Sequence, residues 1–366
     1  MNKSAQLPLI VKAGFTFICL FSLILFLNIS KSIVIPFVYA IILAVLLNPL
    51  VGFLTRHKIN RTVAIFIAVF LTMIVLGFII YLVFKEISTF FNSYSKFGEK
   101  VSLRISQIAT WISNNFDINK ETLNNWVKEK KEGLGSNLGL SIETILGMVT
   151  TIGMLAILMP VYIIMILFYK PLILEFTRKL FSAENQTMVF DIIEKSKKII
   201  QTYLIGLILE MLIIAALNSV GLIILGIDYA IILGIIAAII NIIPVFGGVI
   251  AIIPPMLIAF ITKDSSMYPL LVVIIFFVNQ IIDKYFIIPF LVASKVQLNA
   301  LVSIVVVFIG SALWGIPGMF ISIPVTAILK VIFDNIEILK PIGFLLGNVV
   351  TLTPKRLFFL RKPKNN

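Results

Sequence analysis

From Tyr229 to Thr262 the chain reads YAIILGIIAAIINIIPVFGGVIAIIPPMLIAFIT, and from Val296 to Leu329 it reads VQLNALVSIVVVFIGSALWGIPGMFISIPVTAIL. Each stretch is 34 residues long and holds no Asp, Glu, Lys or Arg. Each is interrupted near its middle, by Pro244-Val245-Phe246-Gly247-Gly248 in the first and by Trp314-Gly315-Ile316-Pro317-Gly318 in the second. A straight helix of that length would run about 51 Å, far beyond a hydrocarbon core of roughly 30 Å. Cut at its break, each stretch yields halves of about 20–27 Å, slightly short of a full crossing. The pattern predicts two broken or re-entrant helical hairpins inside a membrane, and paired elements of that kind point to a secondary transporter.

Composition agrees with a lipid-solvated chain. The 366 residues are 60% hydrophobic and 13% charged, with a mean hydropathy of +1.10. Soluble domains carry about 25% charged residues, and a soluble protein of this size would lack the polar side chains to cover its surface. Full-length apolar runs lie near 9–29, 33–54, 62–84, 145–168, 199–226 and 267–288. The expected fold is therefore an all-α polytopic membrane protein, with six full spans, two broken hairpins and an amphipathic helical segment outside the cytoplasm. The run to Leu27 resembles a signal peptide but lacks a small-x-small cleavage site, and reads as a retained first span.

Charge distribution sets the orientation. The net charge of +13 gathers at the ends of apolar runs rather than among aromatics on a soluble domain, which argues for membrane lipid and against nucleic acid. Residues 55–61 hold Arg56, Lys58 and Arg61 and no acid. Residues 169–198 hold Lys170, Arg178, Lys179, Lys195, Lys197 and Lys198 against four acids. Both loops read as cytoplasmic, and counting crossings from them places both termini in the cytoplasm. The tail bears Lys355, Arg356, Arg361, Lys362 and Lys364. Residues 85–144 fall on the other side, where Ile87, Phe90, Phe91, Tyr94, Phe97, Val101, Ile105 and Ile108 recur in helical steps. That stripe packs on the membrane or spans, or forms a subunit contact. Pro171 should end the fourth span, with a helix starting again after Ser182.

The expected organisation is a three-span scaffold over 1–84, the extracytoplasmic segment over 85–144, and a fourth span with a cytoplasmic linker helix over 145–198. A transport core with two hairpins follows over 199–335, and a basic cytoplasmic tail over 336–366.

Ionisable and polar side chains inside a membrane are functional candidates by default. Glu210 lies 12 residues past Lys198, about 18 Å along a helix and so near the bilayer midplane. A carboxylate at that depth suits taking up and releasing a proton, or it is a hydrogen-bonded structural glutamate. Asn218 sits two turns further on the same face. Asn279, Gln280 and Asp283 form one polar ridge, with Asp283 a candidate ligand for a cation or polar solute. Lys284 is expected to snorkel to the interface.

Where a helix stops inside a membrane, backbone groups lose their partners and must face protein, water or ligand. Pro244 and Pro317 remove donors, Gly247, Gly248, Gly315 and Gly318 allow unusual dihedrals, and Asn241 stands one turn before the first break. These residues make up the expected substrate or ion pathway. Catalytic chemistry has little support. His57 is the only histidine and Cys19 the only cysteine. No Walker loop, dinucleotide fingerprint or metal-ligand spacing occurs, so neither a cofactor nor a metal is expected and the chain does not read as an enzyme.

On these residues the chain resembles the autoinducer-2 exporter family, also called PerM-type permeases, most closely from Tyr203 to Phe333. Tyr203 and Gly206 match the start of the fifth span, and Gly226, Tyr229 and Gly234 the turn into the first hairpin. Ile243-Pro244 with Gly247 and Pro254 is the most recognisable stretch. Pro289, Lys295, Leu298, Gly310, Gly315, Gly318 and Pro324 fit the pattern around the second hairpin. Gly248 stands where many relatives have proline, Asn299 where a histidine is common, and Ala300 where proline often follows. The resemblance makes Asn299 a candidate pathway residue. It implies a multi-pass bacterial inner-membrane transporter and a homo-oligomer, with a pentamer among its forms. Members are linked to export of a small signalling molecule or to sodium/proton exchange. The leading expectation is export of a small polar, autoinducer-like solute. A sodium/proton antiporter moving a cation and a non-transporting scaffold are the alternatives.

Overall fold

The computed structural model describes residues 8–92, 142–244, 246–265, 267–293 and 298–347. Most of the amphipathic stripe over 85–144, Lys295 and the basic tail from 348 lie outside them. The described residues are helical and contain no strand.

Four apolar helices come first: α1 (Leu9–Ile29), α2 (Lys31–Arg56), α3 (Arg61–Asn92) and α4 (Ile142–Leu180). They correspond to the first four apolar runs. α2, α3 and α4 pack around Ala40, Ala44, Ala64 and Ala68, with Ile65 and Ile163 filled in between. Small residues at the crossing let the backbones approach, which is how helices gain packing energy where lipid is as apolar as leucine. The outer faces remain apolar, with Phe70, Phe78 and Leu172 more than half exposed. Such faces are solvated by acyl chains, and the chain is a multi-pass membrane protein.

Pro171 does not end α4, contrary to expectation. The helix runs through both Pro160 and Pro171 to Leu180. A proline removes the donor to the carbonyl four residues back, and here the gap at Leu167 is filled by the Arg61 guanidinium, whose Nη2 donates to it at 2.9 Å. The same repair occurs in α2. Pro49 leaves the Val45 carbonyl free, and Gln201 Nε2 donates to it at 2.7 Å. Side chains of neighbouring helices thus take over bonds the prolines forfeit.

α5 (Ala183–Ile224) begins immediately after Ser182, which is extended as a cap should be, although its hydroxyl accepts from the Asn185 side chain and not from a backbone amide. The helix continues unbroken through the expected linker into the fifth span. The first hairpin follows: α6 (Ala230–Asn241), a turn to which residues 242–244 and 246 belong, the single turn α7 (Gly247–Ile250) and α8 (Ile253–Thr262). Its arms fold together around Leu233, Ala237, Ala251 and Ile258. α9 (Met267–Ile282) returns antiparallel to α5 and runs on as two wide turns, Asp283–Ile287 and Pro289–Ala293. Widening is expected around Pro289, which cannot donate and crowds the preceding turn.

α10 (Ala300–Asn335) contains the second break. Gly315 has φ 63° and ψ −141°, outside helical space and open to glycine. A Cβ on Gly310 would collide with the Gly318 carbonyl and lie 3.1 Å from the Ser322 side chain. In a straight helix residues 12 apart stand about 18 Å from one another. The two arms therefore double back as a hairpin. α11 (Lys340–Leu346) closes the described chain. Connectivity makes the hairpins face opposite ways: the first opens beside the C-terminal end of α5, and the second starts where α9 has crossed back.

The Gly310–Gly318 approach carries a prediction. Gly310→Ala should lower thermal stability in detergent by about 1–3 kcal/mol through overpacking. Gly77→Ala on α3, where an added Cβ meets nothing within 4 Å, should change it little. Equal melting temperatures for the two variants would contradict the folded-back arms.

Candidate functional site

α5 lines one wall of a cavity of about 450 Å³ with Tyr203, Leu207 and Glu210, three residues in steps of four and three. The tip of the first hairpin contributes Asn241 to Pro244 and Gly248. α9 and its first wide turn supply Gln280, Asp283 and Lys284, and the arms of the second hairpin supply Ser303 and Ile323. The volume suits a small solute.

A polar chain runs along the cavity. Gln280 Nε2 donates to Asn241 Oδ1 at 2.8 Å, and Asn241 Nδ2 donates to Asp283 Oδ2 at 3.1 Å. Gln280 and Asp283 are one turn apart, so the Asn241 amide spans that turn and fastens the hairpin tip to α9. Asp283 is only 1% exposed, and its Oδ1 accepts no hydrogen bond among the described residues. Glu210, 7% exposed, also has no hydrogen-bond partner among the described residues and lies within electrostatic reach of Asp283. Two buried carboxyl groups therefore share one cavity with a lysine at its edge and a row of amides. Such a site can take a proton, a cation or the donor groups of a polar solute.

Glycine at 248 has a physical reason. A Cβ there would run into the Gln280 carboxamide, so glycine lets the hairpin tip approach the polar chain closely without displacing that side chain. Gly247 packs behind it, against the Asn241 carbonyl.

Of the pathway residues expected from sequence, Glu210, Asn241, Pro244, Gly248 and Asp283 line this cavity together. Asn218 and Asn279 do not. They form a buried pair of their own, Asn279 Nδ2 donating to Asn218 Oδ1 at 2.9 Å, which ties α5 to α9. The second break lies elsewhere too. Trp314 Nε1 donates to the Leu27 carbonyl at 3.0 Å and Tyr39 Oη to the Pro317 carbonyl at 3.2 Å. Gly315, Pro317 and Gly318 are thereby held against α1 and α2, and the arms of that hairpin face the cavity instead of its tip. Asn299 caps α10: its Oδ1 accepts from Val302 N at 2.8 Å and its Nδ2 donates to the Leu345 carbonyl at 2.7 Å. Lys284, expected at the interface, lines the cavity next to Asp283. Tyr203, Gln280 and Ser303 were not singled out as pathway residues. The i, i+7 spacing of Tyr203 and Glu210 was the available signal for the first.

The AI-2E family transporter model matches residues 15–338, from within α1 to beyond the second hairpin. The chain belongs to the AI-2E transporter family. Its relatives include "Putative transport protein YueF" of Bacillus subtilis (strain 168), 26% identical over 310 residues that cover 82% of this chain and 83% of that protein. "Putative transport protein YhhT" of Escherichia coli (strain K12) is 21% identical over 319 residues, covering 87% and 89%. "Putative transport protein YrrI" of Bacillus subtilis (strain 168) is 33% identical over 129 residues, 35% of this chain and 36% of that protein. Transport is the shared description of these AI-2E family relatives, and none of their names carries a substrate.

The Asn218–Asn279 pair is testable as a structural tie. Each single change to Leu leaves one buried amide unpaired and should cost about 1–3 kcal/mol. The double Leu variant should cost less than the sum of the two in thermal unfolding of the purified protein. Strict additivity would show that the two amides do not interact.

Proposed function

We propose that this AI-2E transporter is a secondary transporter of the bacterial inner membrane, exporting a small polar solute of the autoinducer type through the cavity between α5, α9 and the two hairpins. The observation that carries this reading is the pair of buried carboxyl groups, Glu210 and Asp283, in a cavity closed by a hairpin tip, with Asp283 Oδ1 unpartnered. A wall of carboxyl and amide acceptors suits a solute rich in hydroxyl or amine donors. Both hairpins are taken as re-entrant, opening to opposite sides of the bilayer as inverted elements do. They meet at Phe246 and Phe308, whose rings stand edge to face at 5.9 Å between centroids.

Glu210 is the coupling residue in this reading, because it faces the cavity with no hydrogen-bond partner among the described residues. Cytoplasmic termini follow from the basic loops at 55–61 and 169–198, and α1 to α3 form a scaffold or subunit interface of a homo-oligomer. The names of the relatives support transport in general and give no support to sodium/proton exchange in particular.

The test begins with metabolite profiling of cells with and without the gene, followed by flux of the candidate solute in proteoliposomes. Glu210→Gln should abolish flux driven by a pH gradient while leaving solute counterflow within about threefold of wild type. Gradient-driven flux unchanged in that variant would reject Glu210 as the coupling group.

A further inference from the structure

A second cavity, of about 340 Å³, lies where α2, α3 and α4 converge, and it shares no residue with the first. Its polar wall consists of Asn48, Thr55, Arg61 and Lys170. Two of these are cations, and among the described residues each is held by a single side-chain hydrogen bond that leaves most of its donors unused. Arg61 spends one N–H on the Leu167 carbonyl that Pro171 left open, out of the five a guanidinium carries. Lys170 gives one bond to Asn48 Oδ1 at 2.8 Å, out of three. The Thr55 hydroxyl is committed to the Gly52 carbonyl at 2.9 Å.

The charge arrangement is one-sided. Lys197 of α5 and Arg61 both act electrostatically on Lys170. None of the three forms an ion pair among the described residues, and the Glu175 carboxylate stands on the exposed side of α4, 3.9 Å from Arg178 and 4.0 Å from Lys179. Lys170 is half-buried and Arg61 is exposed beside it; cations gathered in this way repel one another, and an anion offsets that cost. A guanidinium fork beside an ammonium suits the several oxygens of a tetrahedral oxyanion, and the volume exceeds what a single halide ion would fill. Phe53 and Leu172, next in sequence to the lining residues Gly52 and Pro171, are 58% and 63% exposed, and the basic loop with Arg56 and Lys58 follows α2. A basic pocket between membrane helices at the edge of the hydrocarbon is the setting in which phospholipid headgroups bind.

We propose that this cavity binds a phosphoryl group, supplied by the headgroup of an anionic phospholipid or by a soluble phosphate ester. The purified full-length protein in mild detergent provides the test, by thermal unfolding against added phosphatidylglycerol, phosphatidylcholine, glycerol 3-phosphate or inorganic phosphate. Phosphatidylglycerol should stabilise the protein and phosphatidylcholine should not. Lys170→Gln should weaken the apparent affinity roughly tenfold, the loss of one charge-assisted contact. Lys179→Gln, on the exposed face of the same helix, should leave it unchanged. Stabilisation by glycerol 3-phosphate or phosphate with the same dependence on Lys170 also supports the site and assigns it to a soluble ester. If Lys170→Gln does not accumulate, Lys197→Gln makes the same comparison, with an expected loss of about threefold. Equal stabilisation by phosphatidylcholine, or undiminished binding in these lysine variants, would overturn the proposal.

Discussion

Every peptide N–H and C=O placed in lipid must find a partner within the protein, because the hydrocarbon offers none. Much of this structure follows from how that demand is met where the helices are imperfect. Pro49 and Pro171 each strand a carbonyl inside a span, and Gln201 and Arg61 reach across from neighbouring helices to serve them. At the end of α1 the Leu27 carbonyl is taken by the Trp314 indole, at the tip of the second hairpin. Polar side chains that would be unwelcome in a membrane become the bolts between helices. The acceptors left by Pro49 and Pro171 are thereby served from α5 and α3, which ties α2 to α5 and α4 to α3.

The same demand separates polar groups that are fully paired from those that are not. Asn218 and Asn279 satisfy one another and are shut away from the cavity. Asn241 uses both ends of its amide, accepting from Gln280 and donating to Asp283. At Asp283 the pairing stops half-way, with one carboxylate oxygen served and the other not. A fully paired network rigidifies, whereas a buried group with a remaining valence keeps its affinity for whatever enters. The hairpin tip is thus held by one oxygen of Asp283, while the other is buried without a hydrogen-bond partner among the described residues.

Much of this was readable in the chain. Uncharged runs longer than a bilayer, cut by Pro244 and Gly315, announce hairpins because no straight helix of that length fits the hydrocarbon. Glu210, Asn241 and Asp283 stand out because ionisable and amide groups are costly at that depth. The pairings were not readable. Whether Asn218 faces the Glu210 side or the α9 side depends on how two helices rotate against each other, and nothing local fixes that. Pro171 failed as a terminator because its rescue comes from Arg61, more than a hundred residues earlier. Asn299 stands where a histidine is common among relatives and looked like a pathway residue, yet its spacing to Val302 is that of an ordinary helix cap.

The two hairpins differ in how they are anchored, and the difference bears on which one can move. The tip of the first rests on side-chain amides and on the absence of a Cβ at Gly248, contacts a solute can compete with because they line the cavity. The second is bound at its tip by Trp314 and Tyr39, at its base by Asn299 to Leu345, and along its arms by the Gly310–Gly318 approach. None of those contacts opens to the cavity. A ligand can only shift an equilibrium through contacts that differ between the two states. The contacts that fasten a hairpin tip and also line the cavity are therefore those of the first, while the second lends its arms, with Ser303 and Ile323, to the wall.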